Sequence, residues 1–533
     1  MITELFKGTN SLTALLFRKD RWKILIWIGC IVGISLAAAA AYPSIYLTEE
    51  DVLGFAITMD NPAMKAMIGP GYELQDYNTA TIFGHEMLIF TLIAIGVMNI
   101  LIVGRSTRAD EEDGILELVR SLPVGRLSYL SAAIIEGILL NLLLFLFCGI
   151  GLGLLNLDHM DWGECFLYGA LLGGIGLFFL GLTATTSQLA ETSRGATGFA
   201  ISGLIVFYLL RAIGDVNVEV LSFLSPFGWA SRSYVFAENH WWPVFLTVGI
   251  AIVLIGLAFY LNSIRDMGAG FIPARPGRRH ASKFLQTPLG FVLRQQRANI
   301  IGWAIGLFVL SASFSAIMGD LETYFSDMEL LQMYFKNAEM SLSEQFMSLT
   351  ITIISLFSLV PALMGIIRLR SEEMKNRLEH FYSKAISRNT VMGNFLLGSL
   401  LVAVIMQLSV ALGFWSVIGY TGEGGFTFEE LIGASFSFIP AFLVVIGLAL
   451  LFVGFWPKLV NLVWLYFGYC FIVLYLGDLL EFPNWLNKIS VFYNIPEPFI
   501  ENMNSISLIK FIMIGITFSM IGFIGYNRRD ING

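Results

Sequence analysis

Twelve apolar runs divide the sequence, and their length constrains the fold more than any other feature. A helix needs about 20 apolar residues to cross the hydrocarbon core of a bilayer. Because lipid offers the backbone no hydrogen-bond partner, such a segment has to be helical. The runs lie near residues 22–42, 82–104, 129–155, 163–187, 196–213 and 243–263, and then near 299–318, 346–367, 392–418, 431–455, 459–477 and 507–526. We therefore predict an all-α integral membrane protein, with its transmembrane helices in two pseudo-repeated six-helix halves.

The composition indicates the same class of protein. Only 14% of the 533 residues are charged and 56% are hydrophobic, whereas soluble domains carry about 25% charged residues. The net charge of -8 offers no basic surface for a nucleic acid, so no nucleic-acid partner is expected. The four cysteines lie in or beside apolar runs without a CxxC pair, which indicates packing residues and no metal site.

Charged residues sort to opposite ends of the predicted spans. Basic residues lie in 18–23, 105–126, 265–297, 368–388 and 528–529. Acidic residues lie in the opposite loops, at 49–51, 158–161, 320–329 and 429–430. Because lysine and arginine are retained on the inner side of a membrane, both termini and the basic loops are predicted to be cytoplasmic.

A second pattern precedes the first span of each half. Two arginines and a tryptophan recur there at identical spacing, as Arg18, Arg21 and Trp27 and again as Arg294, Arg297 and Trp303. Residues 10–21 and 281–297 mix such cations with apolar residues, which is typical of helices lying along a membrane surface. We predict an interfacial helix at each place, with an ordinary cytoplasmic tail as the alternative. The domains are then 1–263, a basic cytoplasmic linker with the second interfacial helix at 264–298, and 299–533.

A charged cassette, R-x-x-E-x4-L-E-x8-R, occurs once in each half. Its copies are Arg108, Glu111, Leu116, Glu117 and Arg126, and then Arg370, Glu373, Leu378, Glu379 and Arg388. Acidic residues crowd the start of the first copy and Arg120 comes late, which favours a short helix through its dipole. We predict amphipathic coupling helices within 105–126 and 368–388, with charges free to meet a partner. The alternative is a solvated loop whose arginines only enforce topology.

The first copy, Glu111-Glu112-Asp113-Gly114-Ile115-Leu116-Glu117 followed by Pro123, resembles the cytoplasmic motif of ABC-type exporter permeases of the drug and polysaccharide class. Stretches such as Ser225-Pro226-Phe227-Gly228-Trp229 and Trp241-Trp242-Pro243 resemble its fused branch, the exporters of polyketide antibiotics or tetronasin-type resistance permeases. The second copy departs from the motif, with Asn376 and Ala385 at the positions of Gly114 and Pro123. This departure predicts a second docking helix of different angle or strength.

The resemblance implies a bacterial cell-membrane permease that works with two copies of a cytoplasmic ATPase. The implied substrate is a hydrophobic antibiotic, polyketide, peptide or lipid-like compound. The residues implied to couple to the ATPase are Arg108, Glu111, Glu112, Gly114, Glu117, Arg126, Arg370, Glu373, Glu379 and Arg388. Replacing Glu111 or Glu117 with alanine is expected to uncouple ATP hydrolysis from export and leave membrane insertion intact.

The chain itself lacks the means to bind ATP. The phosphate-binding motif G-x-x-x-x-G-K-[ST] requires a lysine after a glycine, and no lysine in this sequence follows a glycine. We therefore expect no cofactor in this chain and no enzymatic activity of its own. ATP and Mg would be bound by the partner ATPase.

Polar residues within the spans are candidates for a substrate path, since a central Asp, Lys or Arg costs roughly 2.5–3.5 kcal/mol on insertion. The candidates are Glu86, Asn99, Glu136 and Asn141. Interhelical hydrogen bonding is the alternative for Asn99 and Asn141. For Glu136, a structural and a substrate-facing role stay equally open.

Two other classes of function fit the same pattern. A secondary transporter driven by an ion gradient also has twelve spans in two halves, although the sequence shows no chain of carboxylates for a proton relay. A membrane sensor or scaffold would move no substrate. The paired cassette favours the exporter over both.

Overall fold

The computed structural model describes residues 2–59, 62–273, 279–316, 342–384, 386–421, 425–476, 482–496, 498–499 and 505–530. Within these ranges, twelve helices are long and apolar enough to cross a membrane, and no β-strand is present. The prediction of an all-α protein with about twelve spans is therefore confirmed. The acidic loop at 320–329 and Ala385 lie outside the described residues.

The helices pack as two compact units, Met1–Gly277 and Arg278–Gly533. The long helices of the first unit are α1 (Thr9–Ile45), α2 (Thr79–Gly104), α3 (Ser128–Leu155), α4 (Trp162–Leu189), α5 (Ser193–Val216) and α6 (Trp242–Ile264). Its short helical segments are Ile2–Leu5, Glu49–Thr58, Pro62–Ile68, Leu74–Asp76, Arg105–Ala109, Asp110–Glu112, Ile115–Arg120, Glu219–Phe223 and Pro226–Ser231.

The second unit has the same number of long helices. These are α7 (Pro288–Ala316), α8 (Leu342–Met374), α9 (Arg388–Thr421), α10 (Ile439–Phe455), α11 (Leu462–Leu476) and α12 (Ser505–Arg528). Its short segments are Phe284–Gln286, Glu379–Tyr382, Phe428–Phe436, Pro457–Leu459 and Asn484–Asn487.

The two predicted interfacial helices are not separate elements, which corrects the sequence-based expectation. Residues 10–21 are the first part of α1, whose buried stripe continues unbroken along the helix through Leu12, Leu16, Asp20, Ile24, Ile28 and Ile31. Helix α7 likewise begins at Pro288, a residue that suits the first helical position, and continues through Arg294 and Arg297. One continuous packing face keeps each helix whole, and the four predicted interfacial arginines lie on exposed positions.

Two asparagines form a reciprocal hydrogen-bonded pair between helices at the centre of the first unit. Asn99 Nδ2 donates to Asn141 Oδ1 at 3.1 Å, and Asn141 Nδ2 donates back to Asn99 Oδ1 at 2.8 Å. Each amide uses its second hydrogen on a carbonyl of its own helix, Ile95 or Gly137. Helix α4 approaches closely, because a Cβ on Gly176 would lie 1.9 Å from Asn141 Oδ1. These side chains therefore serve the packing of α2, α3 and α4 and have no donor left for a substrate.

Glycines bring two helices of the second unit into close contact. A Cβ on Gly447 of α10 would lie 2.6 Å from the carbonyl oxygen of Gly515 in α12. A Cβ on Gly454 would lie 2.2 Å from the carbonyl oxygen of Gly522. Small residues let helix backbones approach in lipid, where apolar burial gives little drive for association.

Replacing Asn99 with alanine is expected to lower the free energy of unfolding by about 1–2 kcal/mol, because Asn141 loses its partner within the membrane. Chemical unfolding in detergent micelles measures this loss. In the double variant N99A/N141A, the replacement of Asn141 should lower the free energy of unfolding much less than the single replacement N141A does. Fully additive losses would mean that the two amides do not act as a pair.

Candidate coupling site

The first coupling segment continues directly from α2. The helix ends at Gly104 and passes through a π-helical turn, Arg105–Ala109, into a single turn, Asp110–Glu112. Gly114 then has a left-handed φ of 77°, and the short helix Ile115–Arg120 follows. Glycine adopts this φ at no steric cost, so the chain can end one helix and begin another here.

This short helix has one buried and one exposed side. Its inner side packs in an apolar cluster with the start of α1, formed by Leu12, Leu16, Leu116, Val119 and Tyr129. On its outer side, Glu117 is exposed and Leu118 is 73% exposed. The structure thus contains an amphipathic helix at the predicted place, although it has only 6 residues.

Glu111 is not free to meet a partner, because its side chain, which is 7% exposed, lies between two arginines. Its Oε2 lies 3.0 Å from Arg108 Nη1 and 2.7 Å from Arg265 Nη2. The backbone N–H of Gly268 donates to its other oxygen at 2.8 Å. Arg265 directly follows α6, the last long helix of the unit. Glu111 therefore fastens the coupling segment to the end of α6.

The cassette arginines strengthen this attachment through backbone carbonyls. The Arg108 guanidinium donates to the carbonyl oxygens of Glu191, at 3.1 Å, and of Gly268, at 2.7 Å. Arg126 donates to the carbonyl oxygen of Arg265 at 2.8 Å. The last carbonyls of a helix lack partners within the helix, so Arg126 caps the end of α6.

The second copy forms the same ionic cluster in the other unit. Glu373 Oε2 lies 2.7 Å from Arg529 Nη2 and 3.5 Å from Arg370 Nη1. Arg529 directly follows α12, the last long helix of this unit. Arg388 donates to the carbonyl oxygen of Arg529 at 2.8 Å, as its first-half counterpart does at the end of α6.

Sequence reasoning missed one arginine in each cluster, Arg265 and Arg529. They stand 154 and 156 residues after the glutamates that they contact. The signal that could have identified them is their position, because each belongs to the basic residues that follow the last apolar run of its half.

Asn376 keeps the backbone conformation of the motif, although its side chain differs from the glycine of the first copy. Its φ is 53°, in the left-handed region where Gly114 also lies. The Asn376 N–H donates to the Glu373 carbonyl at 2.9 Å, and the Gly114 N–H donates to the Glu111 carbonyl at 3.1 Å. Asparagine tolerates this conformation better than other residues with a side chain. The predicted difference between the two copies therefore does not arise at this turn.

The difference arises in the helix that follows. The second short helix, Glu379–Tyr382, has 4 residues, with Glu379 exposed and the preceding Leu378 buried. It contacts α12, because the Tyr382 hydroxyl lies 2.8 Å from the Tyr526 hydroxyl. Burial raises the pKa of Tyr382 above its usual range, so this hydroxyl stays protonated. The first short helix instead packs on α1.

The remaining coupling candidates differ in their surroundings. Glu112 is exposed but accepts the backbone N–H of Ser193 at 2.9 Å, at the start of α5. Partial burial lowers the pKa of Arg120, and the nearby positive charge of Arg126 lowers it further. Exposed Glu117 and Glu379 occupy equivalent cassette positions. Among the charges at matching cassette positions, these two glutamates are exposed in both copies, so a partner can reach them.

The four substrate-path candidates do not converge on a pocket. Glu86 accepts the Tyr42 hydroxyl at 2.5 Å, and Asn99 and Asn141 bond to each other. Glu136 is 1% exposed. An apolar groove of about 560 Å³ lies in the second unit and is lined by Ala298, Asn299, Gly302, Trp303, Gly306, Leu307, Leu310 and Phe357.

Comparison with known proteins gives two matches. The family model of the multidrug efflux system permease Rv1217c, C-terminal domain, matches residues 10–261 and 285–527, one segment in each unit. The chain is also 29% identical over 539 residues to the multidrug efflux system permease protein Rv1217c of Mycobacterium tuberculosis. That alignment covers 99% of this chain and 96% of the relative.

Replacing Glu111 with alanine is expected to destabilise the first unit by about 3–5 kcal/mol, because Arg108 and Arg265 stay buried without their counter-charge. Thermal unfolding of the detergent-purified protein measures the effect. The exposed Glu117→Ala is the matched control and should change stability by less than about 0.5 kcal/mol. Equal melting temperatures for the two variants would contradict the assignment of Glu111 as a structural clamp.

The left-handed turn gives a separate prediction. Gly114→Val is expected to cost about 1–2 kcal/mol, because a β-branched residue is strained at positive φ. Gly114→Asn should cost less, since the second copy already carries asparagine at this position. The same unfolding assay compares the two variants, and an equal loss from both would show that φ does not decide the choice of residue.

Proposed function

The chain belongs to the family of the multidrug efflux system permease Rv1217c, and we propose that it is the transmembrane subunit of an ATP-driven ABC exporter. In this proposal, two copies of a separate cytoplasmic ATPase bind ATP and Mg and supply the energy. The permease sits in the bacterial cell membrane with both termini on the cytoplasmic side. It moves hydrophobic or amphipathic compounds out of the cell.

One observation carries the proposal, namely the duplicated, clamped coupling segment. Each unit presents a short helix with an exposed glutamate, Glu117 or Glu379, beside an Arg–Glu–Arg cluster that is largely shielded from solvent. A loop that only enforced topology would not need the same buried ionic attachment twice. Two equivalent elements suit two identical partner subunits, one for each unit.

The attachments indicate how a push would be transmitted in the first unit. The coupling segment continues from α2 and is joined to the end of α6 by Glu111 and Arg265. It is also joined to α1, because Lys19 Nζ lies 2.5 Å from Asp110 Oδ2. A displacement of the short helix would therefore move the ends of three long helices together.

The family supports a proposal for the class of substrate. The relative's name describes multidrug efflux, and the sequence resembles exporters of polyketide antibiotics. We propose an antibiotic, polyketide, peptide or other lipid-like compound as the substrate. An amphipathic compound of this kind enters a permease from the membrane or the cytoplasm, so no hydrophilic channel is required.

The test is to purify the tagged chain in mild detergent and identify its partners, and then to measure export in reconstituted vesicles. We expect about two copies of a Walker-motif ATPase per chain and export that requires ATP. E117A/L118A should weaken ATPase binding at least tenfold, which corresponds to about 1.4 kcal/mol. Leu74→Ala is the control, because Leu74 is 62% exposed but lies outside the coupling segment.

Two outcomes would contradict this proposal. A chain that purifies alone and moves substrate with only an ion gradient is a secondary transporter. A chain that binds compounds but exports none, with or without the ATPase, is a sensor or scaffold.

A further inference from the structure

Glu136 is a buried acid without a partner. It lies in the third turn of α3, about 12 Å along the helix from Ser128. The residue is 1% exposed, and neither carboxylate oxygen has a hydrogen-bond partner among the described residues. A buried carboxylate that is ionised and unpaired costs several kcal/mol, so this side chain needs an explanation beyond packing.

The charges of two ion pairs act on this carboxyl group. Lys19 Nζ is 2.5 Å from Asp110 Oδ2, and Lys23 pairs with Asp20. Both aspartates are almost fully buried, at 2% and 1% exposure. These four groups are the charges that act on Glu136.

Hydroxyl and apolar groups also lie on the elements that pack against this part of α3. The Tyr129 hydroxyl, about two turns earlier in α3, donates to Asp110 Oδ2 at 2.7 Å. At the next residue, Gly137, a Cβ would meet Leu180 of α4 and Val103 of α2. Helices α2 and α4 thus present apolar side chains at this level.

The charge count leaves one carboxyl group unmatched. Three buried carboxyl groups, from α1, the coupling segment and α3, share two ammonium groups, and each ammonium already has an aspartate. With 1% of Glu136 exposed, the site has no room for a drug-sized ligand. The ligand that fits a closed site with one excess negative charge is a proton.

We propose that Glu136 is a proton-binding site linked to the first coupling segment through Lys19. In the arrangement seen here, Glu136 carries a proton and Asp110 holds Lys19. When the coupling segment withdraws Asp110, Lys19 turns to Glu136. The carboxyl O–H bond then breaks, the proton passes to water, and the ammonium group becomes the counter-charge of the new carboxylate.

The protonation state can be read by infrared spectroscopy of the full chain in lipid vesicles at neutral pH. A protonated carboxyl group has a C=O stretching band that a carboxylate lacks. Compared with the unchanged protein, Glu136→Gln should lack the C=O band of one protonated carboxyl group. Its helical amide bands should be preserved. If no carboxyl band is lost, Glu136 is ionised and the proposal fails.

The link to the coupling segment has its own test. Asp110→Asn should remove the same band, because Lys19 is released and pairs with Glu136. Asp113→Asn is the matched control, since Asp113 lies in the same segment but is exposed, and it should keep the band. Persistence of the band in Asp110→Asn would overturn the link. These spectra need neither ATPase nor substrate, so their outcome is independent of the proposed exporter function.

Discussion

The contact on which the coupling end of each unit depends is one buried carboxylate shared by two arginines. Buried ions do not stabilise a fold by themselves, because their desolvation offsets much of the attraction. Here the ionic contacts fix the positions of the segments that they join. Helices in lipid gain little from apolar contact with each other, so polar contacts have to decide how they are arranged. Glu111 and Glu373 each fix a coupling segment to the end of the last long helix in its unit.

The interiors of the two units meet the same constraint with different residues. The first unit places a reciprocal asparagine pair where α2, α3 and α4 meet. In the second unit, α10 and α12 approach through glycines at Gly447 and Gly454. Hydrogen bonding fixes one relative position, whereas glycine contact permits close approach without selecting a partner atom. The second unit also has a buried side-chain hydrogen bond between two of its helices, because the Ser355 hydroxyl of α8 donates to Gln407 Oε1 of α9 at 3.3 Å.

The sequence was sufficient to predict the spans and the cassette, because both depend on local patterns of apolar and charged residues. It could not identify Arg265 as the partner of Glu111, since nothing local connects residues 154 positions apart. It also took Asn376 for a departure from the motif, although asparagine keeps the left-handed turn. The prediction of separate interfacial helices was wrong, because basic residues before a span have the same pattern on a surface helix and on the first turns of a longer helix.

Internal duplication offers a comparison for the proton site. Aligning the two arginine doublets places Gln295, Gln296 and Asn299 at the positions of Lys19, Asp20 and Lys23. Aligning the two cassettes places Gly398 at the position of Glu136. The second unit therefore keeps the ionic clamp and a buried carboxylate at the position of Asp110, Glu372, but has neutral residues at the positions of Lys19, Asp20, Lys23 and Glu136. If the cluster only joined helices, both units would need an equivalent, whereas a proton site that biases one coupling segment is needed once.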